Sequence, residues 1–352
     1  MTLQLVDSQG GGTHPLSLKA VYPPNLPDFS LTNASIATFE AARSSLHDCN
    51  STHTSCKDRK PSEIWPTRLI DVGSAGNDCL RVVTLAQPQL YCATSHCWGN
   101  HANHLQLNRD TYTRLVSGFS FYELPRLYAD FVIAARQLGV QYLWVDSLCI
   151  IQDNKDDWEY EARRMADVYQ GSYCTLAATS AQNSDDSLFL KTSPLCNISY
   201  VPKGVQNWGL VYPRPGWFQN STSATFPLHK RAWVFQETLL SPRQLHFGFG
   251  GVSFTCRQIG VEPSGEFFPP QIVQSWRDLL RTKNYKLTDV DRAKGQALWQ
   301  TLVSEYSNRN LTFESDRLLA LEGVVSALQQ HTPLRVIAGV IVDFLPYSLI
   351  WH

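Results

Sequence analysis

The chain has 352 residues, 43% of them hydrophobic and 11% aromatic, which suits one large domain or two ordinary ones with a real core and is inconsistent with a disordered chain. Thirty basic against 31 acidic residues leave a net charge of −1, so there is no broad field to attract nucleic acid or a membrane surface. Nine cysteines, an odd number without a C-x-x-C pair, fit reduced intracellular thiols better than a disulfide framework.

No basic and then apolar stretch follows Met1, and the apolar run Val336 to Trp351 is interrupted by Asp343 and Pro346. A cytoplasmic protein is therefore expected. Residues Gly10 to Asn33 are rich in Gly, Pro and Ser and should be irregular. A short helix is expected from Ser35 to Leu46, with Ile36, Phe39 and Ala42 on one face. It leads into Cys49-x3-His53-x2-Cys56, three candidate zinc ligands in one short stretch. A structural zinc needs a fourth ligand and none is evident nearby, so two reduced cysteines and a polar histidine packing a helix end is the preferred reading.

Arg68 to Val72 and Leu80 to Val83 read as a hairpin around a turn-rich segment. Tyr91 to Ser95 alternates like a strand, and Ser95, His96 and Trp98 would then lie at a sheet's C-terminal edge. Leu124-Pro125 opens a helix that Gly139 stops. Tyr142 to Ile151 reads as a strand buried on both faces, in which an ionisable Asp146 is costly unless paired or used. A helix from Asp156 to Gln170 and a strand from Tyr173 to Ala178 continue a β-α-β-α-β alternation, the mark of a doubly wound sheet.

Residues 182 to 228 resemble a long loop system, with an edge strand at Leu210 to Tyr212. Leu228 to Leu240 reads as a helix ended by Ser241-Pro242. Leu245 to Phe247 and Val252 to Cys256 form a second hairpin, and the chain after Trp276 is mostly helical. The expected organisation is an extension over 1–64, a central domain over 65–256 and a helical extension over 257–352.

Several blocks in this order resemble the fungal heterokaryon-incompatibility (HET) domain family. They are Tyr91 to Gly99, Leu124-Pro125 with Asp130, Leu138-Gly139, and Tyr142 to Asp153. Asp157-Trp158 with Glu161, Met165 and Tyr169 follows, then Arg231 to Glu237 and Leu240 to Arg243. Weaker echoes are the Cys49-His53-Cys56 spacing, Asp316 to Ala320 and Leu349 to Trp351. The resemblance implies a fold similar to Toll/interleukin-1 receptor (TIR) domains: a doubly wound, mainly parallel sheet, here with hairpin insertions and a helical C-terminal extension. Some TIR domains cleave NAD at the nicotinamide–ribose bond with a helical glutamate that follows a Trp-Cys pair. Trp233-x3-Glu237 is the closest analogue, which implies Glu237 as a catalytic residue, although Val234 replaces the cysteine. The competing reading pairs Glu237 with Arg231 or Arg243, and Asp146 has the alternative of capping a helix or loop.

The expected site joins Glu237 and Asp146 as catalytic residues with Ser95, His96, Trp98, Trp233 and Arg231 as binding residues. Three function classes follow: a cell-death effector cleaving NAD, an assembly or signalling module without catalysis, and a HET-fold enzyme on a small apolar molecule in secondary metabolism. Ten tryptophans would suit an apolar cleft. The expected partner is a small molecule or nucleotide in the cleft, with a homo-oligomer as a further candidate and neither nucleic acid nor membrane as a partner. NAD is expected as a substrate and zinc is the single candidate metal.

Overall fold

In the computed structural model, which describes residues 34–57, 65–74, 76–99, 105–190, 226–248, 251–257, 275–276, 279, 289–337 and 339–345, helix α1 (Ile36–Thr52) starts at Ser35. The Ser35 hydroxyl accepts the Thr38 N–H at 3.1 Å, satisfying one donor of the exposed first turn. Phe39, Ala42, Leu46 and Cys49 form its buried face, while Ile36 is 76% exposed, so the face runs one turn further along the chain than predicted. A four-residue helix α2 (Thr54–Lys57) follows.

Strands β1 (Leu69–Asp71) and β2 (Cys79–Val83) form the expected antiparallel hairpin. The chain continues through β3 (Tyr91–Ser95), α3 (Arg109–Ser117), β4 (Phe119–Ser120) and α4 (Arg126–Gln137). Then come β5 (Tyr142–Trp144), the one-turn helix α5 (Asp146–Cys149), α6 (Lys155–Gly171) and β6 (Cys174–Ala177). Helix α7 (Trp233–Leu240) precedes the hairpin β7 (Arg243–Gly248) and β8 (Gly251–Cys256). These strands make one sheet in the order β4-β2-β1-β5-β3-β6-β7-β8. The inner four, β5-β3-β6-β7, are mutually parallel, and antiparallel strands complete both sides.

The parallel strands occur in the spatial order second, first, third, fourth. The winding therefore reverses between β3 and β6, and at such a reversal the loops leaving the two strands part to form a crevice. Both strands are wholly buried, as Tyr91 to Ser95 and Cys174 to Ala177 require on apolar and small side chains.

Tyr142 to Ile151 does not form the long strand expected from its apolar run. The strand ends at Trp144, and Asp146 opens α5 by accepting the Ser147 N–H on Oδ1 at 2.8 Å. A carboxylate at a helix N-terminus meets unpaired N–H groups and the positive end of the helix dipole, which favours that turn over a continued strand. The buried Arg68 side chain then fixes the following residues. It donates to the Cys149 carbonyl (2.7 Å) and to Asp157 Oδ2 (2.5 Å), which also accepts the Ile151 N–H (2.8 Å).

The predicted helix Leu228–Leu240 is also divided, into a 3-10 turn at Leu228–Lys230 and α7. Arg231 between them carries the break, its N–H bonding back to Leu228 O while Ala232 N bonds to Asn310 O at 2.9 Å. Helices Asp289–Ser307 and Leu319–His331 make up the C-terminal part, together with a small unpredicted hairpin, Val336–Ile337 with Val340–Ile341. Helix Leu319–His331 packs on both α6 and α7. Residues Leu31–His352 cluster as one compact unit. The irregular stretch 10–33 and the strand expected at 210–212 lie outside the described residues. Among the described residues no helix is long and apolar enough to cross a membrane.

Candidate functional site

The end of β3 delivers Ser95, His96 and Trp98 to the reversal point, where Ala178 N donates to Ser95 O at 2.9 Å. His96 is 3% exposed and its Nε2 lies 3.1 Å from the Tyr128 hydroxyl of α4, which also accepts the Ser147 hydroxyl at 2.9 Å. Asp146 approaches His96 Nε2 to 3.8 Å through Oδ1 and accepts the Trp98 indole N–H on Oδ2 at 2.8 Å. With 19% of its side chain exposed, Asp146 is where this buried network meets solvent. Burial, followed by the charge of Asp146, raises the Tyr128 phenol above its ordinary value. Tyr128 is therefore a neutral hydrogen-bonding group across physiological pH.

Helix α7 brings Glu237 to the same point. Its residues Val234 to Leu240 are all buried, and Val234 joins Cys97, Ala177 and Leu228 in a small apolar cluster that seats the helix against the ends of β3 and β6. The last turn of α7 is held by polar side chains. Ser241 donates to Glu237 O at 2.6 Å, and the Gln244 amide donates to Glu237 O and Thr238 O at 3.0 and 2.9 Å. These bonds satisfy carbonyls that a helix end leaves open, and they hold the Glu237 backbone.

The Glu237 side chain is only 6% exposed. Burial lifts its carboxyl to about 7, against the pull of the Ser95 hydroxyl and the positive charge of Arg231; Asp146 adds to the rise and the Tyr169 hydroxyl opposes it. Glu237 Oε2 has no hydrogen-bond partner among the described residues. Arg231 donates through Nη1 to the His96 carbonyl, so one guanidinium ties the β3 end to the segment that starts α7. Tyr169 of α6 donates to the Thr94 carbonyl at 2.9 Å. A carboxyl that titrates near neutrality, with an open oxygen at a strand reversal, is equipped for proton transfer.

The structure thus gathers Ser95, His96, Trp98, Asp146, Arg231 and Glu237 from three separate stretches. Trp233 is placed differently, since its indole N–H donates to Asp316 Oδ2 (3.4 Å) and so ties α7 to the C-terminal part. Sequence reasoning missed Tyr128, Ser147 and Tyr169. Tyr128 and Tyr169 both lie on the buried faces of their helices, where a tyrosine is indistinguishable in sequence from a packing residue. The proposed pairing of Glu237 with Arg243 does not form. Arg243 is 1% exposed and turns the other way, toward Asn50, Tyr173 O, Cys56 O and the Cys49 sulfur. Cys49, His53 and Cys56 come together as their spacing suggested, and Cys256 of β8 joins them.

Residues 91–237 match the family model described as Heterokaryon incompatibility protein (HET). No match was found among curated proteins or among solved structures. The matched stretch begins with the first residue of β3 and ends on Glu237, so it encloses both sides of the strand reversal and every residue of the polar cluster. By this match, residues 91–237 are similar to the heterokaryon-incompatibility (HET) domain family, and they lie on the α/β sheet described above.

Proposed function

We propose that this HET domain is a cell-death effector that hydrolyses NAD at the nicotinamide–ribose bond, with Glu237 facing the ribosyl carbon. The observation that carries the reading is the location of a buried, near-neutral carboxyl at the reversal of a doubly wound parallel sheet, where nucleotides commonly bind. In the reaction, the C1′–N bond breaks and its electron pair passes to the pyridinium nitrogen, which leaves as neutral nicotinamide. Positive charge gathers on the ribosyl centre, where an ionised Glu237 stabilises it. Water then bonds to C1′ and gives its proton to the Glu237 carboxylate.

Ser95 and Arg231 would orient Glu237 and its substrate, and the Trp98–Asp146–His96 network would hold the end of β3 that carries Ser95. The test is nicotinamide release from NAD by the purified chain, lost in Glu237→Gln while the fold is retained. No release at high protein concentration would overturn the reading. Cell-death activity that survives Glu237→Gln would assign the signal to assembly, and a co-purifying apolar small molecule would assign the fold to secondary metabolism.

A further inference from the structure

Away from the HET-domain cluster, the N-terminal helix meets the edge strand of the sheet at four side chains of one chemical character. Cys49 closes the buried face of α1, His53 caps that helix, Cys56 lies in α2 and Cys256 ends β8. One ligand atom from each lies within 4.8 Å of all the others, and His53 Nδ1 is 3.3 Å from Cys256 Sγ. Tetrahedral zinc has arms of about 2.3 Å to sulfur and 2.0–2.1 Å to nitrogen, which places its ligand atoms roughly 3.5 to 3.8 Å apart. The four atoms are thus grouped closely enough for one such ion to reach all of them after small side-chain movements. Cys49, Cys56 and Cys256 are each at most 2% exposed, which suits a closed structural site.

The second observation is the charge beside them. Arg243 is almost wholly buried, and among the described residues no carboxylate pairs with it. Its Nε lies 3.2 Å from Cys49 Sγ, and its other donors reach Asn50, Cys56 O and Tyr173 O. A buried guanidinium needs a counter-charge. Three thiolates around one divalent cation carry one net negative charge, which Arg243 would balance while its hydrogen bonds orient the ligand-bearing backbone.

We propose that Cys49, His53, Cys56 and Cys256 hold a structural zinc ion that fastens α1 to β8. Binding displaces one proton from each cysteine and none from His53, which coordinates through Nδ1 and keeps its proton on Nε2. All four positions are protein ligands, so the site stabilises and performs no reaction. It ties α1 to β8, the last strand in the sheet order.

The test uses the full chain, expressed with zinc and purified under reducing conditions. Elemental analysis should find about one zinc per chain, falling to near zero in Cys256→Ser and unchanged in Cys79→Ser, whose thiol is exposed elsewhere. Cobalt replacing zinc should give intense tetrahedral visible bands and thiolate charge transfer. Should Cys256→Ser not fold, the wild-type protein still decides. Cys49, Cys56 and Cys256 should resist alkylation until a zinc chelator is added and then label together. Zinc-free wild-type protein, full zinc retention in Cys256→Ser, alkylation indifferent to the chelator, or a disulfide between any two of these cysteines would each overturn the proposal.

Discussion

Glu237→Gln gives a sharp measure of the buried carboxyl. In the folded chain the Glu237 carboxyl titrates at about 7, against 4.5 as its ordinary value, with burial the largest cause. A carboxyl with a raised folded value binds more protons folded than unfolded between those two pH values, so stability falls as pH rises from 4.5 to about 7. Below that window the group contributes nothing, and above it the whole penalty is present. At about 1.4 kcal/mol per pH unit, the penalty at pH 8 is roughly 3 kcal/mol. Glutamine has almost the same shape and no titrating proton, so the variant escapes the penalty.

Urea unfolding of both proteins from pH 4.5 to 8 should show the variant gaining about 3 kcal/mol on the wild type across this range. Burial also raises Glu161 and Asp167, but both occur in the two proteins and cancel in the difference. A difference that stays flat with pH would refute the raised carboxyl, and with it the strongest argument for Glu237 as a proton-transfer group.

If Glu237 acts as the ionised group, kcat/KM for nicotinamide release should rise tenfold per pH unit below about 7 and level above it, in a pH–rate profile that Glu237→Gln lacks. Arg68→Met removes the cation between Asp157 and Glu161 and one donor to Cys149 O; a loss of about 3–5 kcal/mol is expected in denaturant unfolding. Gly323→Ala should cost about 1–3 kcal/mol by the same assay. A Cβ there would sit 2.3 Å from Gln236 Oε1 and 2.7 Å from Ala166 Cβ, where helix Leu319–His331 crosses α7 and α6. Gly99→Ala, at φ +77 and with its Cβ 2.3 Å from Asn183 Cβ, should displace the loop that carries Trp98. A weakened Trp98–Asp146 contact would appear as a change in tryptophan fluorescence.

Much of the framework was legible in the chain. Local patterns decide elements: the alternation in Tyr91 to Ser95, the Pro125 entry and Gly139 exit of α4, and the two apolar runs that form β7 and β8 each act within a few residues. The same patterns failed where a tertiary partner overrides the local preference. The apolar run at Tyr142 ends early because the Asp146 carboxylate accepts the Ser147 N–H in the first turn of α5 and because Arg68, far away in the sequence, captures Cys149 O and Asp157. Which polar residues meet was not a local property. Glu237, Ser95 and Asp146 share a site because the winding reverses between β3 and β6, a fact of strand order that no window of sequence contains. Three of the four grouped metal-ligand candidates could be counted from their spacing. The fourth, Cys256, arrives from 200 residues later. Residue types and short-range periodicity determined what could form; long-range strand pairing decided which side chains came within bonding distance, because charge, hydrogen bonding and metal coordination act over ångströms in space and not along the chain.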